Sequence, residues 1–405
     1  MATPRLAERL WQLTDQDRSS GTELWRQWGR DLQKRGRLHP RVVLHGGYGK
    51  RNLGDDAILE VLLAQIREAI PSAQITAVCH GPSEVRARYG VSAFHFASWA
   101  ALKAILTADI YIIGGGGIIN RINIYSGFRR LRVLDPKGKF LFVAAAIAKL
   151  GGARLHFHAI GATSFPDPVV RWLAPRVLNW ADALTVRDRY SQEMLRSAGV
   201  RAPIPVTPDP VVGLLPAPPG VARGLLSEAG ITLDRLKVGM NFRYVAEPDI
   251  DNAQTVSDVA RLVEWLQVEW GAQVVFLPFG RHPTRQVEND LLFAREVTEH
   301  LNHHTDFYIL ESDLRAAEMM AVLGQMDLCL LERLHAVILA ASTGVPLISV
   351  VYDRKVAAFA DMAGLQDSKL PLRQFNFETA QEKVAALLER QHKRTRELGG
   401  TIETL

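Results

Sequence analysis

Short β-branched runs alternate with longer amphipathic segments in this chain, and the pattern occurs twice. The first series consists of runs at 41–46, 74–79, 109–117 and 153–161, and a second series starts at 237–243. Strands that alternate with helices form parallel sheets with helices on both faces, and such sheets bind ligands beyond the carboxyl ends of their strands. The sequence therefore predicts an α/β protein.

The two series are separated by a proline-dense stretch at 207–224. Such a stretch is typical of a linker between domains. We predict an N-terminal helical extension (1–40), an N-terminal Rossmann-like domain (41–212), a linker (213–236) and a C-terminal Rossmann-like domain with a C-terminal helix (237–405). The expected architecture is two doubly wound Rossmann-like domains facing a cleft, which is glycosyltransferase-B-like.

The composition of the chain limits the classes of substrate and partner that we expect. A net charge of +5 and a pI of about 9.2 favour small anionic substrates or an anionic surface, and we expect no nucleic-acid partner. Cys79 and Cys329 each lie in an apolar run, which predicts two separate core thiols in a reducing compartment. The longest apolar run, 140–148, is too short to cross a bilayer. We predict a cytoplasmic protein.

The N-terminal extension contains an amphipathic segment with an apolar and a basic face. The apolar face consists of Leu24, Trp25, Trp28 and Leu32, and the basic face of Arg26, Arg30, Lys34 and Arg37. We favour a helix that docks its tryptophans on the first domain. The alternative is an interfacial helix that makes a peripheral contact with the inner face of an anionic membrane. A second basic run, at 129–139, is predicted to be a solvated loop, although a lipid diphosphate would suit it.

A glycine-rich turn, "GGYGKRNLGDDAILEV" at 46–61, joins the first strand to the first long helix. From Gly49 to Gly54 its spacing is that of a phosphate-binding loop, but Asp55 and Asp56 stand where such a loop has lysine and Ser/Thr. Carboxylates at a helix N-terminus repel phosphate. Either they only cap the helix, or one of them, for which we favour Asp55, accepts hydrogen bonds from the hydroxyls of an uncharged ligand and can take a proton from one of them.

Two further strand ends in this domain, 114–117 and Gly161, are also rich in glycine. None of the three turns has the GxGxxG order of a dinucleotide site, and each alone would be read as a tight turn. Together they predict that this edge of the sheet binds a ligand. The acceptor-binding candidates are Asn52, Asp55, Asp56, Gly115, Gly116 and Asn120.

In the second domain, "LLERLHAVILA" places Arg333 and His335 where a buried strand passes into a helix. A guanidinium beside free helix N–H groups can bind a carboxylate or phosphate, and an imidazole exchanges protons near neutral pH. The structural alternative is that Arg333 pairs with a carboxylate of the protein and His335 only caps or packs.

Five segments in order resemble the polysaccharide pyruvyl transferase family. They are "GGYGKRNLGDDAIL", "IYIIGGGGIIN", "ALTVRDRYSQEMLRSAGV", "TPDPVVGL" and "ERLHAVILAASTGVPLISVVYDRKVAAFADMAGL". The resemblance covers about 41–365. It implies a glycosyltransferase-B-like fold and transfer of an enolpyruvyl unit from phosphoenolpyruvate to two hydroxyls of one sugar, which leaves a cyclic ketal and phosphate. The expected acceptor is a sugar of a cell-surface polysaccharide or its lipid-linked precursor.

The resemblance also implies roles for individual residues. The family's R-x-H element falls on Arg333 and His335, and its basic residue after the last first-domain strand falls on Arg187. We expect Arg187, Arg243, Arg333 and His335 to bind phosphoenolpyruvate between the domains, with His335 as the general acid; Arg333 and Asp55 complete the predicted catalytic set. No metal and no cofactor are expected.

The chain departs from the family pattern at three places. Glu332 precedes the arginine where the family usually has a small or apolar residue, Asn120 stands where it often has an acid, and the segment after the next strand reads "GATSFPDP". These departures affect the expected acceptor more than the donor.

Two other functions compete with pyruvyl transfer. A nucleotide-sugar-dependent glycosyltransferase would need a glutamate early in a second-domain helix, but no acidic residue occurs between Arg333 and Tyr352, and Glu332 lies just before that helix. A non-catalytic sugar- or lipid-binding protein is the other alternative. The titratable Arg333 and His335 at a strand-to-helix switch argue against it.

Overall fold

The computed structural model describes residues 21–119, 136–163, 167–302 and 306–402. The helices of these ranges are α1 (Glu23–Lys34), α2 (Leu53–Ala69), α3 (Pro82–Tyr89), α4 (Trp99–Leu106), α5 (Pro136–Leu150), α6 (Pro168–Asn179), α7 (Arg189–Ser197), α8 (Pro219–Glu228), α9 (Asn252–Trp270), α10 (Asp290–His300), α11 (Ala316–Leu323), α12 (Leu334–Thr343), α13 (Arg354–Ala363) and α14 (Phe377–Ile402). The strands are β1 (Arg41–His45), β2 (Gln74–Cys79), β3 (Ser92–His95), β4 (Ile110–Gly114), β5 (Gly117–Ile119), β6 (Arg154–Ala162), β7 (Ala183–Val186), β8 (Lys237–Asn241), β9 (Gln273–Phe276), β10 (Phe307–Ile309), β11 (Leu328–Leu331), β12 (Leu347–Val351) and β13 (Lys369–Pro371).

The chain divides into two compact units, a first unit that ends at Leu214 and a second that begins at Leu215. The segment predicted as a linker is only partly one. Its residues Pro219–Glu228 form α8, which packs on α11, and the N–H of Ala217 donates to the carbonyl of Ala317 at 2.9 Å. Proline in the first turn favours a helix start, because its φ is already helical. A high proline content therefore did not distinguish a linker from a helix start.

The first unit contains a parallel seven-stranded sheet. Its order is β3-β2-β1-β4-β6, and β5 and β7 both pair with β6. The β-branched and aromatic side chains of the strands are buried on both faces, as in sheets that are covered by helices on both sides. The order reverses between β1 and β4, so the turns that follow these two strands lie at the topological switch point, where open α/β sheets bind ligands.

The second unit contains a parallel six-stranded sheet in the order β10-β9-β8-β11-β12-β13. Taken in chain order this is 3-2-1-4-5-6, the arrangement of a doubly wound Rossmann sheet. Its switch point lies between β8 and β11, which pair from Leu328 with Val238 to Leu331 with Asn241. The prediction of two doubly wound α/β domains is confirmed.

Helix α1 buries its tryptophan face within the first unit. The side chains of Trp25 and Trp28 are almost fully inaccessible, and the indole Nε1 of Trp25 donates to Nδ1 of His156 at 2.9 Å. On the opposite face Arg26 and Arg30 both pair with Glu23. The contacts are those expected of a docked helix.

Cys79 and Cys329 are buried free thiols, as the sequence predicted. Within the described ranges no helix combines the length and hydropathy needed to cross a bilayer.

Candidate active site

The carboxyl ends of β8, β11 and β12 place a cluster of charged and aromatic side chains at the switch point of the second sheet. Arg243 follows β8, Glu332 and Arg333 follow β11, and Tyr352 follows β12. Since these three strands are adjacent in the sheet, residues that are far apart in sequence meet at one edge.

Arg333 is the N-cap residue of α12, as the sequence predicted, but its guanidinium is held by a carboxylate of the protein. Its Nε lies 2.9 and 2.8 Å from the two carboxylate oxygens of Asp290, and its Nη2 lies 2.6 Å from Oδ1. Asp290 is fully buried and also accepts hydrogen bonds from the backbone N–H groups of Phe279 and Gly280. The alternative interpretation, that Arg333 pairs with a carboxylate of the protein, is therefore correct for one side of the guanidinium.

The remaining nitrogen, Nη1 of Arg333, forms no hydrogen bond with any residue that the structure describes. The backbone N–H of Arg333 donates to the side-chain oxygen of Asn241 at 3.1 Å, so the residue is anchored at two points. A guanidinium fixed in this way presents one donor edge in a set direction. Asp290 and Asn241 were not foreseen, because nothing in the sequence places them beside β11.

Glu332 is fully buried beside Arg243. Its Oε2 accepts the backbone N–H of Arg243 at 3.1 Å, and its Oε1 lies 3.8 Å from Arg243 Nε without a hydrogen bond. Burial raises the pKa of Glu332 to about 7, even though the charge of Arg243 favours the carboxylate. Glu332 therefore titrates near neutral pH, and it neutralises Arg243 only when it is ionised.

Tyr352 and Lys355 extend the cluster beyond the residues named from the sequence. The guanidinium carbon of Arg243 lies 4.8 Å from the centre of the Tyr352 ring, and Nζ of Lys355 lies 5.2 Å from it. Burial opposes ionisation of Tyr352, but the charges of Lys355 and Arg243 outweigh it and lower the pKa of the phenol. Tyr352 lies at the end of the apolar run "PLISVVYD" and Lys355 follows it closely, so the position of this strand end could have identified both residues.

His335 occupies the second position of α12 and is half-buried. It lies two residues after Arg333, at the N-terminal end of the helix, as the sequence predicted. Its position at a strand-to-helix switch is the one that the sequence predicted, and its role as a proton donor stays a prediction.

The glycine-rich turns after β1 and β4 meet at the switch point of the first sheet. The hydroxyl of Tyr48 donates to the carbonyl of Gly114 at 3.1 Å, which joins the two turns. A Cβ on Gly116, whose φ is 78°, would lie 3.5 Å from a carboxylate oxygen of Asp55, and one on Gly47 would lie 2.9 Å from the other. Asp55 thus lies between the two turns, and a larger residue at Gly47 would displace it.

The roles of the neighbouring acids differ from the prediction. Helix α2 begins at Leu53, before both aspartates, so its cap is Asn52, whose side chain accepts the N–H of Gly54 at 3.2 Å. Asp55 is therefore not the cap. It is half-buried and accepts a hydrogen bond from the side-chain amide of Asn52 at 3.1 Å.

Asp56 is buried, and its Oδ1 accepts the N–H of Gly49 at 2.9 Å, which holds the loop closed. Burial raises the pKa of Asp56 to about 7, although the hydrogen bond from Gly49 favours the carboxylate. The prediction that Asp56 binds the acceptor is not supported by this geometry, because its carboxylate is inaccessible and engaged with the backbone. Asp55 is the accessible carboxylate of the pair.

Arg187 is buried against Gly161 at the end of β7. Its Nη1 donates to Asp209 at 3.1 Å, and its Nε lies 3.7 Å from a carboxylate oxygen of Asp188. A Cβ at Gly161 would lie 2.8 Å from Arg187 Nη2, so glycine is required there. Arg187 and Arg333 thus each have a carboxylate partner within their own unit.

Two features that the sequence analysis singled out lie outside the part of the chain that the structure describes. Asn120 and the side chains of the basic run at 129–139 lie outside the described residues. Among the residues that are described, no three His, Cys, Asp or Glu side chains are grouped closely enough to hold a metal ion.

The model of one protein family, the polysaccharide pyruvyl transferases, matches residues 52–354. This chain belongs to the polysaccharide pyruvyl transferase family. The match begins at the cap of α2 and ends just after β12, so it includes Asp55 and the turn after β4 in the first unit and the whole switch point of the second. The resemblance inferred from the five sequence segments is confirmed, and so is the assignment as a transferase of polysaccharide biosynthesis.

Solved structures with the same fold are distant in sequence. The UDP-GlcNAc 2-epimerase from Methanocaldococcus jannaschii is 12% identical with a TM-score of 0.54, and the match covers 87% of this chain and 92% of that one. S. aureus MnaA, solved with UDP, is 12% identical with a TM-score of 0.50, and the match covers 85% and 95%. These similarities concern the fold alone, and the glycosyltransferase-B-like prediction is confirmed.

Proposed function

We propose that this pyruvyl transferase uses phosphoenolpyruvate as its donor and binds it at the switch point of the second sheet. The observation that supports this proposal is the placement of Arg243, Arg333 and Lys355 after three neighbouring strands of one sheet, with Arg243 and Lys355 against the ring of Tyr352. Phosphoenolpyruvate carries a carboxylate and a phosphate. A site with several cations on a rigid sheet edge suits two anionic groups a fixed distance apart.

The three cations differ in how they are held, and this suggests separate roles. Arg333 is fixed by Asp290 and offers one edge of its guanidinium, which suits a carboxylate or phosphate in a set orientation. Lys355 carries a point charge on a flexible stem and lies 3.5 Å from a carboxylate oxygen of Asp353, and such an ammonium group suits the phosphate. Arg187 has a buried Nε without a hydrogen-bond partner among the described residues, and its predicted contact with the donor remains a proposal.

His335 is proposed to donate the proton that activates the donor. The methylene carbon of phosphoenolpyruvate gains this proton, and C2 becomes an oxocarbenium-like centre that a sugar hydroxyl attacks. The bond between C2 and the phosphate oxygen then breaks, and a second hydroxyl of the same sugar closes the ketal. The two hydroxyls lose two protons, of which one balances the new methyl proton and the other leaves with the phosphate. General acid catalysis of this kind contributes roughly 10²–10⁴-fold.

For the acceptor we propose the accessible carboxylate of Asp55, with Asn52, Gly115 and Gly116 beside it. An aspartate that faces glycine turns can accept hydrogen bonds from sugar hydroxyls, and it repels a phosphate. We propose a sugar of a cell-surface polysaccharide, presented as a lipid-linked precursor. Since phosphoenolpyruvate is an intracellular metabolite, the reaction would take place on the cytoplasmic side.

The nucleotide-sugar alternative is weakened by Glu332. It was the one acid near the start of α12 that could have held a ribose, and it is fully buried against Arg243. A carboxylate in that position cannot reach a ribose hydroxyl.

Turnover in D₂O tests the proposal. Wild-type protein is incubated with phosphoenolpyruvate and a panel of free and lipid-linked sugars, and phosphate release and the product methyl group are followed by NMR. We expect phosphate release that depends on the acceptor and a ketal methyl group that carries one deuteron. Phosphate release without an acceptor, or a methyl group without deuterium, would contradict the mechanism.

The general-acid assignment is tested with His335→Ala and His335→Gln. Both variants should bind phosphoenolpyruvate close to normally and lose at least 10²-fold in kcat. His300, an exposed histidine near the end of α10, offers the matched control His300→Ala, which should leave kcat unchanged. A His335→Ala variant with wild-type kcat would show that another group supplies the proton.

A further inference from the structure

Three adjacent helices of the first unit expose an unusual number of apolar side chains. Helices α4, α5 and α6 pack side by side on one face of the sheet and bury their inner faces in its core. Their outer surface, including the C-cap of α6, accounts for seven of the fourteen large apolar side chains that are exposed within the described ranges: Trp99, Leu106, Val143, Leu150, Val169, Trp172 and Trp180. Trp99 is 86% exposed and Trp172 is 59% exposed. Exposed apolar residues concentrated in this way mark an interaction surface.

The same helices are uniformly basic. The sequences of α4, α5 and α6 contain no aspartate or glutamate, although these residues make up 43 of the 405 in the chain. They contain exposed cationic side chains at Lys103, Arg171 and Arg176, whereas Lys149 pairs with Asp182 at 2.5 Å. A partner for this surface is therefore anionic.

Arginine and tryptophan are combined directly on α6. The guanidinium of Arg176 lies 4.2 Å from the centre of the Trp172 ring. Beside it is a depression of about 670 Å³ lined by Arg171, Arg176, Arg201 and Asn179, with no carboxylate in its lining. Because three arginines and no carboxylate line this depression, it can accept a phosphate group.

We propose that the outer surface of α4, α5 and α6 docks on an anionic lipid bilayer. Tryptophan side chains favour the boundary between headgroups and acyl chains, and basic residues are attracted to anionic headgroups. The combination of exposed tryptophan, aliphatic and basic side chains on helices that contain no acid of their own is that of an interfacial surface, and the nearby Asp167 and Asp182 are engaged in the cap of α6 and in the ion pair with Lys149. The proposal does not depend on the identity of the donor.

The N-terminal helix, for which a membrane contact was the alternative to docking on the first domain, lacks this combination. Helix α1 buries Trp25 and Trp28, and two of its arginines pair with Glu23. The proposed docking surface therefore lies on the layer formed by α4, α5 and α6 and not on α1.

Vesicle co-sedimentation tests the charge component. The full chain should sediment with vesicles that contain phosphatidylglycerol and not with pure phosphatidylcholine vesicles. The double variant Lys103→Gln/Arg176→Gln should partition about 25-fold more weakly, since each basic residue near an anionic leaflet contributes about fivefold, or about 1 kcal/mol. The matched control is Arg223→Gln/Arg390→Gln, which removes two exposed arginines from the second unit and should leave partitioning unchanged. Equal losses in both double variants would overturn the assignment of this surface.

The apolar component is tested with Trp99→Ala/Trp172→Ala. We expect weaker sedimentation and less quenching of tryptophan fluorescence by lipids brominated in the acyl chain, while phosphoenolpyruvate binding stays unchanged. Val268→Ala, at an exposed apolar position of the second unit, serves as the control. Wild-type sedimentation by the tryptophan variant would refute the proposal. The proposal would also be refuted if the tryptophan variant lost self-association that wild type shows while its vesicle binding stayed unchanged. The surface would then be an interface between copies of this chain.

Discussion

Replacing Glu332 with glutamine tests whether a buried, titrating carboxylate lies in the donor site. Glutamine has nearly the same size and can still accept the backbone N–H of Arg243, which bonds to the glutamate at 3.1 Å. The substitution therefore removes the charge while it keeps the packing. Any effect then measures the cost of the buried carboxylate.

The magnitude follows from the pKa. Burial raises the pKa of Glu332 from 4.5 to about 7, so the folded protein holds a proton that the unfolded chain releases between these pH values. Stability from this group is present below pH 4.5, falls as the pH rises towards 7, and is fully lost above 7. At 1.36 kcal/mol per pKa unit the loss is about 3 kcal/mol. Glu332→Gln should thus resemble wild type at low pH and be more stable by about 3 kcal/mol at pH 8.

Urea unfolding of both proteins at pH 5, 6, 7 and 8 measures this difference. A stability difference that grows with pH, with most of the change below 7, is expected. The phosphoenolpyruvate affinity of wild type should also fall as the pH rises through 7, and that of Glu332→Gln should not, because the ionised carboxylate offsets the charge of Arg243. A difference in stability that is the same at every pH would refute the assignment of Glu332 as the titrating group.

Three further substitutions address the two sites. Asp290→Asn removes the charge partner of the buried Arg333, so the free energy of unfolding should fall by about 3 kcal/mol and phosphoenolpyruvate should bind more weakly; unchanged urea midpoints would contradict the pairing. Asp55→Asn should leave the Tm and donor binding unchanged and abolish most ketal formation, whereas wild-type turnover would show that Asp55 does not act on the acceptor. Asp56→Asn should make the protein more stable at pH 8 than wild type and equal to it near pH 4, since burial raises the pKa of Asp56 to about 7; scanning calorimetry at the two pH values measures this.

The sequence predicted the architecture well, because strand and helix periods repeat regularly and glycine marks the strand ends. It also placed Arg333 and His335 correctly at the start of α12, since a buried strand followed by polar residues defines that position. These features are determined by residues that are close together in the sequence.

The partners of these residues could not be read in the same way. Asp290 is 43 positions before Arg333 in the chain and reaches it only because β8, β9 and β11 are neighbours in the sheet. That Asn52 and not Asp55 caps α2 has another cause, which is that the helix starts at Leu53, before the two aspartates. Ion pairs between distant strand ends and exact helix starts both depend on tertiary packing.

Titration calorimetry with phosphoenolpyruvate and UDP-N-acetylglucosamine, each on wild type and on Lys355→Gln, tests the central claim most directly. Wild type should bind phosphoenolpyruvate with saturable heat at one site per chain, and Lys355→Gln should bind it at least several-fold more weakly because one of the three cations is gone. UDP-N-acetylglucosamine should produce no saturable heat with either protein. Saturable binding of the nucleotide sugar together with no binding of phosphoenolpyruvate would contradict the assignment of the donor.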